Sequence, residues 1–228
     1  PHLPDARLVD QAITMIDAAN APLVVAGEMI SNQDAVEALT KFTEKTGIPV
    51  MSAYRRLDVM ANSHECYAGH LEINRFEKQL EAIEQSDLII AIGTRLDGIT
   101  SADETMFCNG KPLIHLYPDT EILSRFDSDV AIDTDMEPGL KDLTRKLAPA
   151  NNARRTRTAK LHDSFMTFSQ PSNFTAYGDV DLARVIDIMD KIVDKETTIV
   201  TDAGSFSRWI HRYRRFEKPH TKAGPMSG

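Results

Sequence analysis

Three uninterrupted apolar runs constrain this chain more than anything else in it: Pro22-Leu-Val-Val-Ala-Gly27, Asp87-Leu-Ile-Ile-Ala-Ile-Gly93 and Pro112-Leu-Ile-His-Leu-Tyr117. A strand with one face in water alternates apolar and polar residues, whereas a strand that is apolar throughout is covered on both faces. Segments with helical spacing stand between and around these runs. Residues 5–20 carry Leu8, Ala12, Ile13, Met15 and Ile16 on one face with Asp5 as the N-cap; a second helix carries Val36, Leu39 and Phe42 and stops at Gly47. Ile48-Pro49-Val50-Met51 and Val130-Ala-Ile132 read as shorter strands, and 74–85 and 136–147 as helices. Strands alternating with helices predict an α/β fold, a doubly wound parallel sheet with helices on both faces, over residues 1–148.

Residues 149–178 break that rhythm with Pro149, Asn151, Asn152 and Pro171-Ser172-Asn173, and read as a connector holding one helix. Its basic residues, Arg154, Arg155, Arg157 and Lys160, are expected on a solvated helix face or in salt bridges. A net charge of −8 argues against nucleic-acid or anionic-membrane partners, and no apolar run approaches a membrane span. Two cysteines, Cys66 and Cys108, make no disulfide framework and point to reduced thiols in a cytoplasmic protein. The chain opens at Pro1 rather than Met, which leaves open a preceding segment, a targeting signal included.

From residue 179 a helical face resumes through Leu182, Val185, Ile186, Met189 and Ile192, feeding the β-branched strand Thr197-Thr-Ile-Val-Thr-Asp-Ala-Gly204. A helical segment from Ser205 follows, with Trp209 and Tyr213, then Arg215-Phe216 and a second Gly turn ending at Gly228. Strand, Gly turn and helix N-terminus make a phosphate cradle, because unpaired N–H groups and the helix dipole face an anion. The order Thr201-Asp202-Ala203-Gly204, Trp209, Tyr213, Arg215-Phe216 and Ser227-Gly228 resembles the opening of the diphosphate-binding domain of thiamine-diphosphate enzymes, the acetolactate synthase, benzoylformate decarboxylase and pyruvate oxidase group. Residues 1–148 resemble that family's Rossmann-like central domain, so 179–228 would begin a truncated second α/β domain.

The resemblance implies thiamine diphosphate and Mg²⁺ as cofactors of the intact protein, a 2-keto acid as its substrate and a homo-oligomeric state. The cofactor carries the decarboxylation, and the protein orients and shields it. Gly204, Ser205, Phe206 and Gly228 stand where the family holds the cofactor. The family's metal motif lies downstream, and Gly178-Asp179-Val180 matches it only in part and on the wrong side of the strand. Its activating Glu belongs to an N-terminal domain. The isolated chain is therefore expected to be catalytically silent, with 179–228 less well ordered than 1–148.

A doubly wound sheet binds ligands at the carboxyl ends of its strands. Gly27, Gly93, Thr94, Arg95 and Asp119 are the candidates there for a nucleotide, which the resembling family takes as FAD or ADP in some members. Glu28 in the same turn opposes a phosphate, and the leading expectation is a structural domain. Arg55 and Arg56, after a strand end, are candidates for a substrate carboxylate, with a surface salt bridge as the alternative. His64-x-Cys66-x3-His70 has unconvincing metal spacing, and Cys108 lacks a nearby His, so no metal or catalytic residue is assigned. Two other classes stay open: a stand-alone FAD- or NAD-binding oxidoreductase domain, and a non-catalytic assembly module.

Overall fold

A computed structural model describes residues 1–103, 105, 107 and 110–224. Asp5 accepts from the Arg7 N–H and starts α1 (Ala6–Ala18), which leads into β1 (Pro22–Ala26). Asn32 caps α2 (Gln33–Thr46), and Gly47, in the left-handed region at φ 60°, ends it. There follow β2 (Val50–Ser52), β3 (Tyr67–His70), α3 (Glu77–Glu84), β4 (Leu88–Ile92), the single turn α4 (Gly98–Ser101), β5 (Leu113–Tyr117), α5 (Thr120–Leu123), β6 (Val130–Asp133) and α6 (Met136–Lys146).

The six strands form one parallel sheet in the order β3-β2-β1-β4-β5-β6. β1 lies at its centre, with Val24 opposite Val50 on one side and Ile90 on the other. Alternation along the strands explains the unbroken apolar runs. Val24, Ala26, Ile90, Ile92, Ile114 and Leu116 pack beneath α1, α2 and α6, while Leu23, Val25, Ile89, Ala91 and Leu113 pack on the other face with Ala82 and Ile83 of α3.

Two features differ from the sequence-based expectation. Tyr67–His70 is a strand, β3, that the sequence reading did not include. It pairs with β2 across a bulge, and Tyr67 is fully buried, with its hydroxyl 3.1 Å from Ser52 Oγ and its ring edge-on to Phe165. The second concerns α7 (Asn152–Phe168), which packs against β3 and α3. Arg154 is buried and donates to the carbonyls of Ile16, Ala19 and Thr46, while Arg157 donates to Pro22 and Ala82. Arg154 caps the C-termini of α1 and α2, where carbonyls lack intrahelical donors, and Arg157 joins the last turn of α3 to the start of β1, so neither lies on a solvated face.

After a 3-10 turn at Pro171–Asn173 come α8 (Leu182–Ile192), β7 (Ile199–Val200), α9 (Ser207–Tyr213) and β8 (Lys222–Ala223), with β7 and β8 paired in parallel. Ala183, Ile186 and Tyr213 form a small core with Phe174 and Trp209, and Val185, Ile188 and Ile192 stay exposed. Residues 211–222 dock on the sheet's β3 side. Asn62 and Phe216 exchange two hydrogen bonds, and Arg215 donates to Ser169 Oγ at 2.7 Å. Among the described residues, no helix is long and apolar enough to cross a membrane.

Candidate functional site

The sheet's topological switch point lies between β1 and β4, and their carboxyl ends bring Gly27, Gly93, Thr94 and Arg95 together. Gly27 is required there for contact within the chain: an added Cβ would stand 2.4 Å from Thr94 Cβ and 2.7 Å from Thr94 Cα. Glu28, in the same turn, turns its carboxylate inward. Its Oε1 accepts from the Arg95 N–H at 3.1 Å, Arg95 Nε at 2.8 Å and the Tyr117 hydroxyl at 3.1 Å. Burial first, and the Glu28 charge second, push the Tyr117 phenol above its ordinary value. Asp119 serves as the cap of α5, accepting from the Glu121 N–H. A nucleotide's phosphates laid across these strand ends would meet a carboxylate and an arginine already engaged with it. These residues do not fit a bound FAD or ADP.

Arg55 and Arg56 lie in the turn after β2. Arg55 is buried at φ 61°, with its guanidinium 5.0 Å from the centre of the Tyr54 ring. Arg56 Nε is buried with no hydrogen-bond partner among the described residues. The adjoining Asp58 is tied to β8, its Oδ2 accepting from the N–H groups of Thr221 and Lys222 at 3.1 Å each. Burial, the largest influence, pushes the Asp58 carboxyl up.

β7 leads through Thr201-Asp202-Ala203 into Gly204, at φ 141°, and then Ser205, Phe206 and α9. The N–H groups of Ser207, Arg208 and Trp209 are engaged by the carbonyls of Gly204, Ser205 and Phe206. The N–H groups of Gly204, Ser205 and Phe206 themselves donate no hydrogen bond among the described residues. Lys222 lies across the β7–β8 pair, with Nζ 2.8 Å from Thr201 Oγ1. Gly228 and Cys108 lie outside the described residues.

A cleft of about 480 Å³ opens between the end of β3 and α9. Phe76, Phe168, Phe174, Trp209 and Tyr213 give it aromatic walls, and Arg75, Arg208 and Arg212 line it as well. At its edge stands a group that sequence spacing did not reveal. His211 Nδ1 is 2.6 Å and His70 Nε2 3.2 Å from Glu72 Oε1, while Arg208 Nε is 3.5 Å from Oε2. Burial alone would raise the Glu72 carboxyl, but hydrogen bonds from His211 and His70 outweigh it and hold the group well below the usual carboxylate range. Burial, the largest influence, pushes His211 down, against the raising effect of its hydrogen bond to Glu72. His64 and Cys66 do not join His70. His64 pairs with Glu44 at 3.6 Å, and the buried Cys66 thiol, pushed up to about 11 by burial and by Glu65, donates to the Thr43 carbonyl. In the sequence Glu72 carries no signal beyond standing two residues after His70. His211 is 139 residues away from it.

Comparison with known proteins agrees with this architecture. The acetolactate synthase large subunit of Corynebacterium glutamicum is 25% identical over 225 residues, covering 96% of this chain and 36% of its own length. Acetolactate synthase 2, chloroplastic, of Nicotiana tabacum is 26% identical over 230 residues, covering 96% and 33%. The chain thus spans about a third of the length of these relatives. A crystal structure described as a candidate thiamin diphosphate-dependent enzyme from Mycobacterium smegmatis superposes with a TM-score of 0.77 at 18% identity, over 100% of this chain and 43% of that one, and so shares its fold. Residues 9–143 match the family model for the central domain of thiamine pyrophosphate enzymes. With its doubly wound sheet and that match over more than half its length, the chain belongs to the thiamine pyrophosphate enzyme family and carries its central domain.

Proposed function

We propose that the protein carrying this chain is a thiamine-diphosphate- and Mg²⁺-dependent enzyme of the acetolactate synthase kind. It decarboxylates a 2-keto acid and either joins the product to a second carbonyl or protonates it. The observation that carries the reading is the turn between β7 and α9. Three consecutive N–H groups, on Gly204, Ser205 and Phe206, are left unpaired between a strand and a helix, an arrangement suited to an anion. Lys222 adds a positive charge on the neighbouring strand. These features support reading the turn as the seat of the diphosphate. When bound, thiamine diphosphate supplies the means of taking up the electrons freed as CO₂ leaves.

The residues of this chain bind and orient. Gly204, Ser205 and Phe206 hold the diphosphate, and Lys222 offsets part of its charge. Arg55 and Arg56 are assigned to the substrate carboxylate, whose two oxygens a guanidinium matches. Support for placing them on the same side comes from Asp58, which ties their loop to β8 beside the anion turn. No residue of this chain is assigned to Mg²⁺. The reading carries with it a cytoplasmic homo-oligomer.

The test is CO₂ release from pyruvate and 2-ketobutyrate by the full-length gene product, with thiamine diphosphate and Mg²⁺, beside the 228-residue chain alone. Turnover by the first and silence from the second are expected. A full-length protein that binds the cofactor yet turns over no 2-keto acid would end the reading. Thiamine-dependent CO₂ release by the shorter chain would overturn the assignment of its silence.

A further inference from the structure

We propose that His70, Glu72 and His211 form a binding site for one divalent first-row transition cation, Zn²⁺ being the probe of choice, with an open coordination position toward the aromatic cleft. The three residues come from two distant parts of the chain. In His70-Leu71-Glu72, at the end of β3, extended alternation sends Leu71 into the core, where it is fully buried, and turns its two neighbours to the other side. His211 meets them from α9.

One ligand atom from each residue lies within 4.8 Å of the other two. Tetrahedral Zn²⁺ with bonds of about 2.0–2.1 Å sets its ligands about 3.3 Å apart. The His70–Glu72 separation of 3.2 Å already matches, and the His211–Glu72 separation of 2.6 Å is a hydrogen bond that a cation would open by a small side-chain rotation. Two imidazoles and one carboxylate are the donor set of a three-ligand zinc site that keeps its fourth position free. Mg²⁺ and Ca²⁺, which take oxygen ligands, suit it poorly.

The bonding of His211 leaves its tautomer open. The His211 side chain is 1% exposed, and its Nε2 is buried without any hydrogen-bond partner among the described residues. With Nε2 unbonded, the ring can carry its single proton there and offer the Nδ1 lone pair, which faces Glu72, to a cation. Both Glu72 and His70 line the cleft, so a cation has a path in and its free position faces the aromatic walls. Arg208 opposes the cation through Glu72 Oε2, and Lys222 adds to the positive field on His211. The Arg208 side chain is 44% exposed and can turn into solvent, which sets the affinity as moderate rather than tight.

The test is calorimetric titration of the purified 228-residue chain with Zn²⁺ in a non-chelating buffer, with visible absorption of the Co²⁺-substituted protein as a second readout. One Zn²⁺ per chain at micromolar metal and a tetrahedral Co²⁺ spectrum are expected. Glu72→Gln keeps an acceptor for the imidazoles, and His70→Ala removes the least buried ligand. Each should weaken Zn²⁺ at least tenfold, the lower range seen even for outer-shell partners, and abolish the Co²⁺ bands, with circular dichroism unchanged. A wild-type chain that takes up no stoichiometric Zn²⁺ would overturn the proposal. So would Zn²⁺ that binds both variants as well as wild type, which would place the cation elsewhere.

Discussion

Replacing Arg154 by Met separates a buried helix cap from a solvated charge. The guanidinium donates to Ala19 O at 2.8 Å, Ile16 O at 3.1 Å and Thr46 O at 3.4 Å, joining the last turns of α1 and α2. Met keeps the aliphatic stem but leaves these carbonyls without that donor. The two shorter bonds come from a charged donor and are worth about 1.5–3 kcal/mol each; the longest adds little. Against them stands the desolvation of the guanidinium, which burial pushes below its ordinary value. A net loss of about 3 kcal/mol remains, or about 6–12 °C in melting temperature for a chain of this size. Arg155→Met is the control. Arg155 is exposed, with one contact of 3.3 Å to Glu44 O, and its loss should stay within about 0.5 kcal/mol. Urea denaturation followed by circular dichroism measures both. The Arg154 effect should persist at high salt, where surface charge pairs are screened. Equal stability of the two variants would refute the capping role and restore the solvated face.

Three further outcomes are expected. Gly27→Ala forces a Cβ to 2.4 Å from Thr94 Cβ at the centre of the sheet and should cost about 1–3 kcal/mol of overpacking; a variant as stable as wild type in urea would show that the turn can move. Glu72 and His211 both have folded-state pKa values below their unfolded ones, so the unfolded chain binds more protons as pH falls. Their stabilisation is complete above about pH 6.5 for His211 and about 4.3 for Glu72, and is lost below those values. The urea midpoint should drop from pH 7 to 4, and less steeply in Glu72→Gln; a midpoint that is flat or rises on acidification contradicts this. Finally, amides of 179–224 should exchange faster than those of 1–148, because α8 leaves Val185, Ile188 and Ile192 exposed over a two-stranded pairing. Uniformly slow exchange would count against it.

The apolar runs at 22–27, 87–93 and 112–117 were legible because burial on both faces leaves an unmistakable local pattern, and they became β1, β4 and β5. Asp5 and Gly47 act through bonds to their own neighbourhood, and so were readable too. β3 was not. Tyr67-Ala-Gly-His contains two poor strand formers, and its conformation is imposed by the β2 ladder and by Phe165. Arginine spacing on α7 likewise looks like a surface face, since the carbonyls that receive Arg154 belong to residues more than 100 positions away. Glu28 could be read as hostile to a phosphate; that Arg95 and Tyr117 converge on it could not. His70 stood out, but with the wrong companions, because the residue that completes its cluster arrives from α9.

This redistribution of charge bears on where ligands can act. At the switch point between β1 and β4, where a doubly wound sheet ordinarily offers a crevice, Glu28 and Arg95 are already paired with each other. Polar groups with spare bonding capacity sit instead at the β3 edge and on the segment docked there. That segment supplies three things from fewer than twenty residues: the unpaired N–H groups of 204–206, the histidine on Glu72, and the N–H groups of Thr221 and Lys222 that hold Asp58. Apolar contact alone would let such a segment slide along the sheet edge, because hydrophobic attraction has no direction. Hydrogen bonds at Glu72, Asp58 and Asn62 fix its register at three separate points. The proposed site, which draws on both the sheet edge and residues 204–222, needs that register held to a fraction of an ångström, and directional bonds to buried partners are what can hold it.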